Sequence, residues 1–162
     1  MRLVFLLFLA VFVGCAPARL DRSSLSNADV IAAFVPDRGE RGIYKLGEQV
    51  RFRLSLKKSG FIHLISYEPT NNVVIFERNV PIRAGEHVFP RPEDRQGNAQ
   101  AAYLIVPPTG ANRVIALYSD VPLEGLPRGT RDNNALQAGI RSALQTSKAT
   151  SFDLAETEIE VK

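Results

Sequence analysis

The sequence predicts an all-β sandwich with one short helix near its C-terminal end. Four apolar residues alternate with polar or charged neighbours, which is the period-two pattern of a strand with one buried face. They are Val50, Phe52, Leu54 and Leu56. Turn-forming residues recur at close spacing, as in domains built from many short strands. Only residues 133–145 repeat apolar side chains at intervals of four, and we expect a helix there.

The N-terminal residues have the pattern of an export signal. Arg2 supplies one positive charge, and residues 3–13 form an apolar segment too short to span a bilayer core of about 30 Å as a helix. Gly14 then precedes Cys15, which resembles the lipobox of bacterial lipoproteins, with cleavage before Cys15 and lipid on its sulfur. The alternative is an ordinary signal peptide with an incidental cysteine. Because Cys15 is the only cysteine, an internal disulfide is excluded.

These features divide the 162-residue chain into three parts. We expect residues 1–14 to be a signal peptide, residues 15–28 a lipidated cysteine with a flexible tether, and residues 29–162 one β-sandwich domain. The formal net charge of +3 is mild. No run of basic residues is interleaved with aromatic ones, so the sequence does not favour nucleic-acid binding.

The first half of the domain is predicted to contain a strand over residues 29–35, ended by Pro36, and then an antiparallel meander. The meander strands are residues 50–57, 61–67 and 73–77. Gly60 is expected to allow a positive φ in the first turn. The second strand is more apolar than the first, which indicates that it is covered on both faces. Pro81 indicates a loop over residues 79–85.

The second half is predicted to contain a short strand over residues 86–89, an exposed proline-rich loop over residues 90–98, and two apolar strands. The apolar strands are residues 101–106 and 113–119. Thr130 or Asp132 can cap the following helix, which would bury Leu136, Ile140 and Leu144. Residues 151–161 alternate at their end and predict a strand with an acidic outer face.

The order of several short motifs resembles the bacterial domain-of-unknown-function family DUF4384. The motifs are residues 43–52 (IYKLGEQVRF), 60–64 (GFIHL), 74–76 (VIF), 107–110 (PPTG) and 114–117 (VIAL). The resemblance covers roughly residues 29–123. It implies an immunoglobulin-like sandwich in envelope lipoproteins, and it implies no reaction and no catalytic residues.

The two histidines, His63 and His87, are the candidate metal ligands of the domain. His63 shares a strand face with apolar residues, so it is also readable as a buried core residue. Imidazole is a preferred ligand of copper and zinc, and histidines on neighbouring strands can share one ion. Carboxylates that could complete such a site are Glu68, Glu77, Glu86 and Asp120. A copper site would permit superoxide dismutation.

A set of cations forms the candidate interaction surface. Arg51, Arg53 and Lys57 share the polar face of the first meander strand, and Arg91 and Arg95 belong to the proline-rich loop. The simplest interpretation is a solvated face and a connecting loop. The functional interpretation is a contact for acidic polysaccharide, lipid head groups or a partner protein.

No nucleophile motif of the G-x-S-x-G type occurs, and the sequence favours a binding protein over an enzyme. The expected function is that of a lipid-anchored protein of the bacterial cell envelope, on the outer membrane or cell surface, that binds or bridges other envelope components without a cofactor. An example of such components is an outer-membrane or surface-layer assembly, and other envelope proteins are the expected partners. One alternative is a copper-binding redox enzyme that resembles superoxide dismutase. A second alternative is a polysaccharide- or peptidoglycan-binding module.

Overall fold

The computed structural model describes residues 19–162, which form two facing β-sheets and a helical layer. The helices are α1 (Arg22–Leu25) and α2 (Asn133–Thr146). The strands of the first half are β1 (Ile31–Pro36), β2 (Gly42–Tyr44), β3 (Gln49–Val50), β4 (Phe52–Leu56), β5 (Gly60–Tyr67) and β6 (Asn72–Ile82). Those of the second half are β7 (Gly85–Phe89), β8 (Arg95–Gln96), β9 (Ala99–Gln100), β10 (Tyr103–Leu104), β11 (Gly110–Ser119), β12 (Gly129–Thr130) and β13 (Phe152–Val161).

The smaller of the two facing sheets has the order β1-β4-β7, and the larger has the order β12-β6-β5-β11-β13-β2. All pairings are antiparallel except that of β13 with β2, which is parallel. The alternating residues predicted to be buried in β3 and β4 all lie in the core between the sheets. The period-two pattern therefore identified the buried face correctly.

The helix α2 packs on the outer face of the larger sheet and creates a second apolar core. Asp132 caps the helix by accepting a hydrogen bond from the Ala135 backbone N–H at 2.7 Å. Leu136, Ile140 and Leu144 are buried as predicted. Because cores lie on both faces of the larger sheet, β5 and β11 are buried on both faces and contain consecutive apolar residues. No helix within residues 19–162 is long and apolar enough to cross a bilayer.

The predicted three-stranded meander is wrong at its first turn. β4 belongs to the smaller sheet and β5 to the larger one, so the chain crosses between sheets at residues 57–59. Of the three predicted meander strands, only β5 and β6 pair as a hairpin. Gly60 does not adopt a positive φ. A Cβ at Gly60 would instead lie 2.4 Å from the Tyr118 ring, so glycine is required by the close approach of two strands.

Two further strand predictions are corrected. Residues 79–82 were expected to form a loop, but β6 continues through Pro81 to Ile82. Proline is tolerated there because β12 pairs with only the first two residues of β6, so the missing N–H lies on an edge. Residues 101–106 were expected to form an apolar strand, but only β10 pairs, and it pairs with β3 alone.

The proline-rich segment is mostly exposed, as predicted, and ends in a small hairpin of β8 and β9. The acidic outer face predicted for β13 is covered instead of solvated. The side chain of Glu156 is only 7% exposed and lies 3.4 Å from Arg113, and Glu158 is paired with Arg41 at 3.0 Å. The loop before β2 and the N-terminal residues shield this face.

Residues 19–28 pack against the domain, whereas the sequence placed them in the flexible tether. Leu20 and Leu25 are buried in the helix-side core. The Leu20 N–H donates to Glu156 Oε1 at 2.9 Å. Asp153 binds the following residues, because its carboxylate accepts hydrogen bonds from Ser26 and from the backbone of residues 30 and 31. The domain therefore includes residues from Leu20 onward, about nine residues earlier than predicted.

Candidate functional site

His63 is a fully buried residue on the helix side of the larger sheet. Its sequence neighbours Ile62 and Leu64 face the inter-sheet core, so the imidazole points to the opposite face. The Nδ1 atom accepts the Asn79 backbone N–H at 3.2 Å, and Nε2 lies 3.4 Å from Ser119 Oγ. Burial, with a smaller contribution from Arg78, lowers the pKa of His63 to about 4. The imidazole is therefore neutral and engaged at both nitrogens near neutral pH.

His87 lies on β7 in the smaller sheet, and its Nε2 is 2.8 Å from the Arg83 carbonyl oxygen. The larger sheet separates this strand from the face to which His63 points, so the structure does not bring the two imidazoles into one site. Within residues 19–162, no group of three or more histidine, cysteine, aspartate or glutamate side chains could hold a metal ion. The copper hypothesis therefore gains no geometric support.

The five candidate cations of the interaction surface divide into two groups. Lys57 pairs with Asp29. Arg91 forms a bidentate contact with Asp94, with a shortest N–O distance of 2.6 Å, and Arg95 donates to Gln100 Oε1 at 2.7 Å. These three cations stabilise the domain and its proline-rich loop. Their charges are largely neutralised or used internally.

Arg51 and Arg53 form the second group. Arg53 is exposed on the outer face of β4, and Arg51 is exposed directly before β4. Neither guanidinium forms an ion pair or hydrogen bond with the part of the chain that the structure describes. A concavity of about 320 Å³ lies between this face and the proline-rich loop. It is lined by Arg53, Glu86, His87, Val88, Arg91, Pro92 and Glu93. The candidate surface thus reduces to two available guanidinium groups beside a shallow depression.

An apolar cleft at one end of the inter-sheet core was not predicted. It has a volume of about 250 Å³ and opens where β10 approaches β6. Buried apolar residues form its floor, and exposed Val74, Leu104 and Val106 form its rim. The sequence signal that could have revealed it is the apolar segment at residues 101–106, which is too long for the two residues that pair.

Glu77 and Tyr103 form a polar contact beside this cleft. The Tyr103 hydroxyl donates a short hydrogen bond to Glu77 Oε1. Burial raises the pKa of Glu77 and, together with the bond to Glu77, raises the pKa of Tyr103. The Tyr103 ring also packs edge-on against Phe76, with ring centroids 4.9 Å apart. This contact fixes β10 over β6 and so defines one wall of the cleft.

The predicted lipidation site, Cys15, lies outside the described residues 19–162, as do the predicted signal peptide and the first residues of the predicted tether. The structure therefore leaves these predictions untested.

Comparison with known proteins gives one match. The model of a family described as a domain of unknown function, DUF4384, matches residues 43–122. A search of curated proteins and a search of solved structures found no match. The matched range runs from β2 to just beyond β11 and contains the two available guanidinium groups, the proline-rich loop and most of the cleft lining. It leaves out α2, β13 and the docked N-terminal residues.

Proposed function

Because the DUF4384 family model matches residues 43–122, we propose that the chain is a lipid-anchored protein of the bacterial cell envelope whose domain binds an acidic envelope component. In this proposal residues 1–14 are cleaved as a signal peptide, and Cys15 carries the lipid at the outer membrane or cell surface. The two facing sheets form an immunoglobulin-like sandwich. The domain binds its partner without a metal or other cofactor.

The observation that carries the binding role is the pair of available guanidinium groups on β4 and its flank. Arg53 lies on β4 and Arg51 directly precedes β4; both are exposed, and they alternate with the buried residues Val50 and Phe52. Arginine suits the planar, bidentate recognition of carboxylate and phosphate groups. Exposure to solvent would be a sufficient explanation for either arginine alone. Two unpaired guanidiniums beside a concavity, with the neighbouring cations already paired, favour an anionic partner.

Retention on an immobilised polyanion such as heparin tests this role. Arg51→Gln with Arg53→Gln should lower the salt concentration at which the protein elutes, since two local contacts are lost. Arg128→Gln with Arg141→Gln is the matched control, because both residues are exposed on the helix side and the net charge changes equally. Elution of the two double variants at the same salt concentration would show that only net charge matters, and would refute the surface.

Photo-cross-linking in intact cells extends the test to the native partner. A photoreactive residue in place of Arg53 should form adducts with envelope components, and the same residue in place of Arg141 should not. Equal labelling from both positions would contradict a specific surface.

Membrane anchoring requires a separate test. Cys15→Ser should release the protein from the membrane fraction or leave it unprocessed. Unchanged detergent partitioning of the variant would refute the lipid anchor. This result is independent of the polyanion experiment, which uses the domain surface alone.

A further inference from the structure

The exposed large apolar side chains are not scattered evenly over the domain. Among residues 19–162, Leu104 and Val106 are the most exposed of them, at 56% and 63%. Leu46 is 47% exposed and adjacent to them, because the Gly47 N–H donates to the Ile105 carbonyl at 2.8 Å. Val74 shares the cleft rim with Leu104 and Val106. We call Leu46, Val74, Leu104 and Val106 the apolar end. A contiguous exposed apolar surface of this kind indicates an interaction site.

The cleft inside the apolar end suits a hydrocarbon occupant. Its volume of about 250 Å³ equals that of roughly eight water molecules. Its polar lining side chains are Ser66, Glu68, Tyr103 and Asn112, and the last three already have partners. Glu68 Oε2 accepts a hydrogen bond from Asn72 at 2.9 Å, and Asn112 donates to the Gly110 carbonyl at 3.1 Å. A ligand therefore does not need to supply polar groups to them.

The charges next to the apolar end fit an anionic surface. Lys45 and Lys162 are exposed, and neither ammonium group forms an ion pair within the described residues. Both are held beside Leu46, because the Leu46 N–H donates to the Lys162 carbonyl and the Lys162 N–H donates to the Tyr44 carbonyl. Lysine is depleted at protein–protein interfaces, whereas lysine flanking aliphatic residues is typical of contacts with anionic lipid. Protein–protein interfaces are also enriched in aromatic residues, whereas the rim of the cleft is aliphatic, which again favours lipid.

The position of Arg19 on the domain also favours a membrane near the apolar end. Arg19, the first described residue, pairs with Glu40 at 2.7 Å, in the loop that leads directly into β2 and then to Leu46. Arg19 is four positions after Cys15, a reach of roughly 14 Å at most. A lipid on Cys15, as proposed above, would therefore hold the membrane close to the side of the domain that carries Glu40.

We propose that the apolar end rests in the interface of an anionic lipid bilayer, with Leu104 and Val106 inserted among acyl chains and the cleft open to a chain segment. Lys45 and Lys162 contact lipid phosphates. The proposal extends the lipid-anchor proposal, because it predicts a second membrane contact that exists without lipidation. The domain then lies against the bilayer and exposes the face with Arg51 and Arg53.

The absence of tryptophan from the chain provides a direct test. Leu104→Trp, made in residues 16–162 so that Cys15 and the apolar N-terminal segment are both absent, contains a single tryptophan, at the rim. It is mixed with vesicles of phosphatidylcholine and phosphatidylglycerol whose acyl chains carry bromine. We expect a blue shift and quenching of the emission. The matched control is Ala138→Trp, because Ala138 is exposed on α2, away from the apolar end and from the face with Arg51 and Arg53. Its emission should not change.

The two lysines give the second arm of the experiment. Lys45→Gln with Lys162→Gln should weaken vesicle binding at least several-fold, and added salt should weaken binding of the parent chain. Val106→Trp replaces Leu104→Trp if the latter disturbs the circular dichroism spectrum.

Three outcomes would overturn the proposal. They are an absence of quenching at both rim positions, equal quenching at position 138, and a concentration-dependent blue shift without vesicles, which would indicate a second copy of the chain as the occupant. Because the chain lacks Cys15, none of these outcomes depends on lipidation, and none involves the two available guanidinium groups.

Discussion

Replacement of Asp153 by alanine should detach the N-terminal segment and destabilise the domain. The carboxylate is fully buried and accepts hydrogen bonds from the backbone N–H groups of Val30 and Ile31, at 2.9 and 2.8 Å, and from Ser26 Oγ at 2.5 Å. Arg22 adds an ion pair at 3.0 Å. Leaving a buried donor without an acceptor costs about 1–3 kcal/mol. Two stranded backbone donors and a broken ion pair together give an expected loss of about 3–5 kcal/mol.

The assay for Asp153→Ala is urea unfolding, followed by circular dichroism, with Asp29→Ala as the control. Asp29 is an exposed carboxylate paired with Lys57, so its removal should change stability by less than about 1 kcal/mol. Hydrogen exchange adds a local measurement. Relative to the parent protein, Asp153→Ala should accelerate exchange of the Val30 and Ile31 amides more than exchange of the amides of α2. A stability loss below about 1 kcal/mol, or unchanged exchange at Val30 and Ile31, would refute the reasoning.

The same carboxylate predicts a pH dependence. Burial alone would raise the pKa of Asp153, but the hydrogen bonds from Ser26, Ile31 and Val30 outweigh burial and lower it. Ionised Asp153 therefore stabilises the fold above the ordinary Asp pKa of about 3.9, and this contribution is lost as the pH falls below that value. Asp153→Asn should remove this part of the acid sensitivity. A variant with the same acid profile as the parent would contradict the assignment.

Three other perturbations have definite expected outcomes. Because the pKa of His63 is about 4 in the fold and about 6.5 when unfolded, stability should fall by up to roughly 3 kcal/mol as the pH drops from 6.5 to 4. His63→Gln should flatten this part of the stability profile, and an unchanged slope would contradict the burial argument. Gly60→Ala should cost about 1–3 kcal/mol in urea unfolding, since the added Cβ would lie 2.7 Å from the Ser119 carbonyl oxygen as well as against Tyr118, and equal stability would show that the strands can separate freely. Phe52→Ala should cost about 3–5 kcal/mol of unfolding free energy, because the ring is buried and stacks on Phe34 with ring centroids 5.5 Å apart. Val88→Ala should have a small effect because Val88 is exposed, and similar losses at both positions would mean that the strand face was misassigned.

Local patterns in the sequence predicted local structure well. The alternation around Phe52 identified the buried face, and the spacing of Leu136, Ile140 and Leu144 identified α2 within about one residue. These predictions succeeded because burial on one face of a strand or helix imposes its own period on the residues. The family resemblance was also confirmed by the match to residues 43–122.

The predictions failed where structure depends on distant parts of the chain. A short polar turn after β4 is compatible with a hairpin or with a crossing between sheets, and the period of two is the same in both. The apolar residues of segment 101–106 were assigned to a core strand, yet Leu104 and Val106 point out at the rim of a cleft. Docking of residues 19–28 depends on Asp153, more than one hundred positions away, and no local pattern carries that information.

For the candidate site residues too, local features could be predicted from the sequence and long-range contacts could not. Exposure of Arg51 and Arg53 follows from alternation, and the sequence identified both. The pairing of Arg91 with Asp94 and of Lys57 with Asp29 depends on the path of loops, so these cations could not be separated from the available ones beforehand. The histidines were considered together because both are potential ligands, and only the sheet topology placed them on different sides of a β-layer.

The position of β13 has a consequence for the order in which the protein is made. This strand is the last element of the described chain, yet it lies inside the larger sheet, between β11 and β2, and it carries the carboxylates that bind residues 20 to 31. A nascent chain therefore has neither a complete sheet nor a docking partner for its N-terminal segment until residues 152–161 have left the ribosome. Non-local pairing of this kind delays folding until these residues are available. For a protein exported as proposed, this delay favours translocation of a chain that has not yet folded.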